Sequence, residues 1–295
     1  MRRWSAIVRA TALEICSEPL SLLLALSAMA LAVVAPSMHY HQFGESTRMA
    51  RDAGLSSLLV FGAMQAVFCT VRSFRREIES GTMQMALAHS VSRRMFFLAK
   101  LSGAALAYLV FAVAVVCVSV TAVNGARIGG DIAKATGDIA TMYGPSLAVA
   151  VAAIVVPPVA AAALNRFARF RFTPTAVALA AALAVLGVVF RFDAGTALRF
   201  LPAAAMLTLP AAVFMSASAA FAVRWRDNAA TSLAGLLALV SVPALGNYYL
   251  SDALAKGGSL PWSHVALAAA LTAPLVAAFA VLGVGFLNGR DVGGE

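Results

Sequence analysis

The sequence predicts an all-α, polytopic bundle of transmembrane helices, and three observations carry that reading. Of 295 residues, 61% are hydrophobic and only 12% charged, against about 25% charged in soluble domains. The apolar residues gather into runs on the scale of the about 20 that cross a bilayer as a helix. Short polar or basic connectors separate these runs. In lipid a helix satisfies its own backbone hydrogen bonds, whereas a soluble fold of this size could not bury a chain with mean hydropathy +0.87. Residues 1–295 therefore read as a single membrane domain.

The elements follow in order. Trp4, Val8, Thr11 and Ile15 recur at helical spacing, with Arg2, Arg9 and Ser17 elsewhere. This predicts an interfacial helix over 1–17. The first span is expected at 19–37, ending near Pro36. Glu14 and Glu18 precede it and the run is long enough to span, so it reads as a retained helix rather than a secretory signal. A polar outer loop at 38–53 leads to a second span at 54–71. A charged segment, 72–100, precedes the third span at 101–123. The loop NGARIGGDIAKATGD leads to a fourth span, 143–164, which contains Pro157 and Pro158. NRFARFR joins it to a fifth at 173–190, and RFDAGTALRF joins that to a sixth at 201–223, which contains Pro210. VRWRDN precedes a seventh at 229–249, and YYLSDALAKGGSLPW an eighth at 264–287. About eight spans are expected, with six as the alternative if one hairpin is re-entrant. Small residues such as Gly103 and Ala107 suit close helix packing in lipid.

Eight spans place both termini on one side. Fifteen basic residues fall on that side, among them Arg2, Arg93 and Arg166, and seven on the other, among them Arg48, Arg127 and Lys256. Basic residues concentrate on the cytoplasmic face, so both termini and residues 72–100 are expected in the cytoplasm of a cell-membrane protein. The net charge of +9 then reflects topology and anionic lipid rather than nucleic acid.

Residues 72–100 read RSFRREIESGTMQMALAHSVSRRMFFLAK. Phe74, Ile78, Thr82 and Met85 would form an apolar stripe, with Arg75, Arg76 and Glu79 projecting elsewhere. Gly81 interrupts the helix at a cost of about 1 kcal/mol. An ordinary basic loop and a docking helix both fit these residues. Glu77, Glu79, Gly81 and Thr82, followed by Val91, Ser92, Arg93 and Lys100, resemble the coupling-helix region of type-2 ABC exporter permeases, the family that includes the permease of the nitrous-oxide-reductase maturation system. Ser90 stands where that family usually has Pro. Phe286, Arg290, Asp291 and Val292 loosely resemble the end of the family's last helix.

The resemblance implies a permease domain whose segment 72–100 is a cytoplasmic amphipathic coupling helix, with Glu77, Glu79, Gly81, Thr82, Ser92 and Arg93 meeting a partner ATPase. It also implies a second permease chain, identical or related. The family usually has six spans. The sequence has no GxxxxGK[ST] phosphate loop. The chain is expected to be non-catalytic, with no cofactor of its own. ATP and Mg would be bound by the partner ATPase. The alternative is an ATP-independent transporter or membrane scaffold. No acidic residue is expected at mid-bilayer depth, which weakens an ion-coupled mechanism. Asp52, Asp131, Asp138, Asp193 and Asp252 all fall in expected outer loops.

No Ser/His/Asp, HExxH or paired-carboxylate constellation lies in the apolar runs. Met38, His39 and His41, with Met49 nearby, have metal-ligand chemistry but do not complete a site, so an interfacial cluster with Tyr40 and Phe43 is the favoured reading. Cys16, Cys69 and Cys117 read as small apolar residues, and His264 as structural.

Overall fold

The computed structural model describes residues 2–34, 46–83, 85, 91–136, 144–190, 194–225 and 260–289. They form helices with no strand among the described residues. The chain is an all-α, membrane-embedded bundle. Among the described residues five helices are long and apolar enough to cross a membrane, or six if one bent pair counts as a single span. This is fewer than the eight expected.

The bent pair is α1, Arg2–Ser17, and α2, Pro19–Val34, which meet at 66°. Pro19 sets the bend. A residue before proline is pushed out of the α region, so the helix breaks at Glu18, while proline itself suits the first turn of α2. A separate N-terminal helix is thus present. Thr11 and Ile15 of its expected face are buried and Trp4 is exposed, because the later turns of α1 pack on the bundle.

The second span is helical from α3, Ser46–Met64, through a π-helical turn at Gln65–Cys69 to α4, Thr70–Glu79. It starts within the expected outer loop: Asp52 lies on the first turns of α3, within 3.9 Å of Arg48 and 3.6 Å of Arg51. The third span, α5, Arg93–Thr136, is 44 residues long. At 1.5 Å per residue it extends about 66 Å, well beyond a bilayer core of about 30 Å. It absorbs most of the expected loop 124–138. Ala50 of α3 packs there against Val123 and Ala126 of α5, and such packing outweighs the helix cost of the glycines.

The helix α6, Gly144–Ala168, carries Pro157 and Pro158 inside it. Its apolar stretch Ile154–Ala168 is shorter than the five crossing helices. Arg169 then turns back with φ 56°, and Asn165 Nδ2 donates to the Phe170 carbonyl at 2.6 Å. The remaining helices are α7, Phe172–Phe190, α8, Ala194–Arg224, and α9, Trp262–Asn288. The expected seventh span, 229–249, lies outside the described residues.

α5 is the centre of the bundle, contacting α1, α2, α3, α6, α7, α8 and α9. α9 packs chiefly on α8, where Phe221 meets Phe279 at 6.2 Å edge-on and stacks on Trp225 at 4.9 Å. The α1–α5 contact depends on Gly103. A Cβ there would lie 2.6 Å from Thr11 Cβ and 2.7 Å from the Val8 carbonyl oxygen, and the carbonyl can yield only if the helix moves. Gly103→Ala is expected to separate α1 from α5 and destabilise the bundle by about 1–3 kcal/mol, read as faster hydrogen exchange across residues 2–17.

Candidate functional site

The charged segment 72–100 is divided rather than one helix lying on the membrane. Its first part continues the second span as α4, and its last part is the opening of α5. Gly81 makes the break. Its φ is +71°, a left-handed conformation that glycine adopts without a Cβ penalty. The Ser80 amide donates to the Arg76 carbonyl at 2.9 Å. Ser80 and Thr82 hydroxyls lie 2.8 Å apart, and Thr82 Oγ1 donates to the Glu77 carbonyl at 3.4 Å. The expected apolar stripe is broken accordingly: Phe74 is buried, while Met85 is exposed.

The sequence-derived residues fall into two groups. Glu77, Glu79, Gly81 and Thr82 gather at the end of α4. Ser92 caps α5, accepting the Met95 amide at 3.3 Å on its hydroxyl, the geometry expected of a helix N-cap. Arg93 Nη1 donates to the Leu287 carbonyl at 2.9 Å and the Asn288 carbonyl at 2.8 Å. It therefore holds the end of α9, where carbonyls lack helical partners and a cation is favourable. The two groups are joined through Lys100.

Lys100, on the second turn of α5, has no solvent exposure. Its Nζ lies 2.7 Å from Glu77 Oε1 and 3.8 Å from Glu14 Oε2, and 5.4 Å from the centre of the Phe74 ring. Phe74 in turn packs on Phe97, ring centres 5.3 Å apart. Ser73 Oγ donates to Glu14 Oε2 at 3.1 Å. At the corner between α1 and α2, Glu18 meets Arg72 Nε at 3.0 Å and Arg76 Nη1 at 3.4 Å. A single charged lattice therefore ties α1, α4 and α5 together. Two part-exposed carboxylates face one fully buried ammonium and keep its charge paired.

The sequence reading did not assign Glu14, Glu18, Arg72, Ser73 or Arg76 to a site. The four-residue spacings 14/18, 72/76 and 73/77 carried the signal, since residues four apart share a helix face. Gln65 was also missed. Buried in the π turn, its Nε2 donates to Ser21 Oγ at 2.7 Å, and its Oε1 accepts from Cys69 Sγ at 3.4 Å. A polar side chain inside an apolar run finds internal partners because lipid offers none.

Met38, His39, His41, Ser90, Arg290, Asp291 and Val292 lie outside the described residues. Asp52 is part-exposed at the start of α3 and His264 is exposed at the start of α9. Cys16, Cys69 and Cys117 are unbridged. Among the described residues no group of three or more His, Cys, Asp or Glu side chains could hold a metal. Comparisons with models of protein families, with curated proteins and with solved structures return no match.

Proposed function

We propose that this chain is the membrane-spanning permease subunit of an ATP-driven exporter of the type-2 ABC class. The observation that supports this reading is the exposed turn at Ser80–Thr82 and its anchorage. The turn projects from the end of α4, yet Glu77, one helical turn away, is locked to the buried Lys100 of the central helix. Force applied at the turn reaches α5 through that ion pair and α1 through Glu14. This is what a non-catalytic subunit needs in order to convert closure of a partner ATPase into a change of the bundle.

In this reading Glu77, Glu79, Gly81 and Thr82 form the docking region, and Ser92 and Arg93 fix the far side of the connection. ATP and Mg are bound by the partner, and a second permease chain completes the path. The excess of basic residues on the turn's side supports a cytoplasmic location for it and both termini.

The test is co-purification with candidate ATPases from the same source in mild detergent, followed by an ATPase assay. Gly81→Ala is informative because nothing lies within 4 Å of the added Cβ, so its effect is confined to the backbone turn, at about 1–2 kcal/mol. Gly81→Ala and Glu79→Lys are each expected to leave the bundle folded and to lower recovery of the ATPase at least tenfold. Intact docking and transport in both variants would refute the coupling assignment. A chain that purifies alone and moves substrate on an ion gradient would establish the ATP-independent reading instead.

A further inference from the structure

A cleft of about 620 Å³ opens between the α1–α2 corner and α4. Three arginines of α4, Arg72 and, one turn on, Arg75 and Arg76, line it, with Glu18 and Glu79. That leaves one net positive charge. Leu20 and Phe68, on the apolar sides of the two helices, line the same cleft. The cleft is thus cationic where the charged end of α4 begins and apolar where the two spans enter the membrane.

We propose that this cleft binds the phosphodiester headgroup of an anionic membrane lipid, with an acyl chain along Leu20 and Phe68. Arg72 and Arg76 remain largely exposed, with side chains at 60% and 66%, while Glu18 is at 10%. Glu18 engages Arg72 through Nε and Arg76 through Nη1. A guanidinium carries five N–H donors in a fork that matches phosphate oxygens, so each keeps donors for a second anion. Glu18 holds both forks at the mouth of the cleft. A soluble phosphate would use the arginines alone and leave the apolar wall without a role, which favours a lipid. The proposal rests on the chain being membrane-embedded and stands apart from the permease reading.

The test uses the full chain, delipidated in mild detergent and titrated with phosphatidylglycerol or phosphatidylcholine while native mass spectrometry counts bound lipid. One tightly held phosphatidylglycerol and no comparable phosphatidylcholine is the expected result. Arg72→Gln and Arg76→Gln should each weaken binding about fivefold, the effect of one basic residue near an anionic surface. Glu79→Gln, at an exposed position, should strengthen it, and this variant decides the matter if the arginine variants fail to fold. Equal retention of both lipids, or unchanged binding in Glu79→Gln and the arginine variants, would overturn the proposal. Displacement of the lipid by millimolar inorganic phosphate would overturn it in favour of a soluble ligand.

Discussion

Lys100→Met is expected to destabilise the bundle by about 2–4 kcal/mol, less than the cost of stranding a fully buried charge, because the Glu77 and Glu14 side chains it leaves are 25% and 21% exposed. Methionine keeps the length and apolar stem of lysine, so packing against Phe74 is retained and the loss is electrostatic. Glu77 and Glu14 would then face each other across a site that the ammonium had occupied. Unfolding in mixed micelles of increasing sodium dodecyl sulfate fraction measures the effect. A double-mutant cycle with Glu77→Gln separates the pair from its surroundings. The double variant should be more stable than Lys100→Met alone, since it removes one of the two stranded carboxylates. A Lys100→Met loss below about 1 kcal/mol would mean that the carboxylates find water or other cations, and that α4 and α5 are not joined by charge.

Arg93→Gln should have the next largest effect, about 2 kcal/mol, from the loss of charge-assisted bonds to the Leu287 and Asn288 carbonyls. Its consequence is local. The outer face of α9 is largely exposed within the chain, so its end depends on this attachment and on α8. Hydrogen exchange should rise in residues 284–289 while α5 stays protected. Unchanged exchange at that end would show that α8 alone fixes α9.

Much of the bundle was legible because membrane crossing writes itself into long apolar runs. The second and third spans, the helices after Phe172 and Trp262, and the separate N-terminal helix were all readable in this way. Their ends were less so. The loops expected at 38–53 and 124–138 were shortened because α3 and α5 continue past their apolar cores to pack Ala50 against Val123 and Ala126. Three small residues far apart in sequence carry little signal of such a contact. Which face of a span turns inward was also hidden, since lipid and protein interior both accept apolar side chains.

At the candidate site, Gly81 was readable as a break because an interior glycine weakens a helix. Lys100 was readable only as a residue opening a span, since its partners lie 23 and 86 positions away at Glu77 and Glu14. The role of Arg93 against α9 left no trace at all: its acceptors are backbone carbonyls, and any residue could supply them.

The π turn at Gln65–Cys69 sets the rotational phase of everything beyond it. A helix advances about 100° per residue, and a π turn inserts one residue into an otherwise α-helical frame. Because of that inserted residue, the lipid-embedded half of this long helix and its ionic half need not share a common face. α3 can present Gly54 to α5 while α4, on its own angular register, presents Arg72 and Arg76 to Glu18 at the α1–α2 corner. The charged lattice is therefore keyed by a count of residues at Gln65–Cys69, just before the first of the charges it aligns.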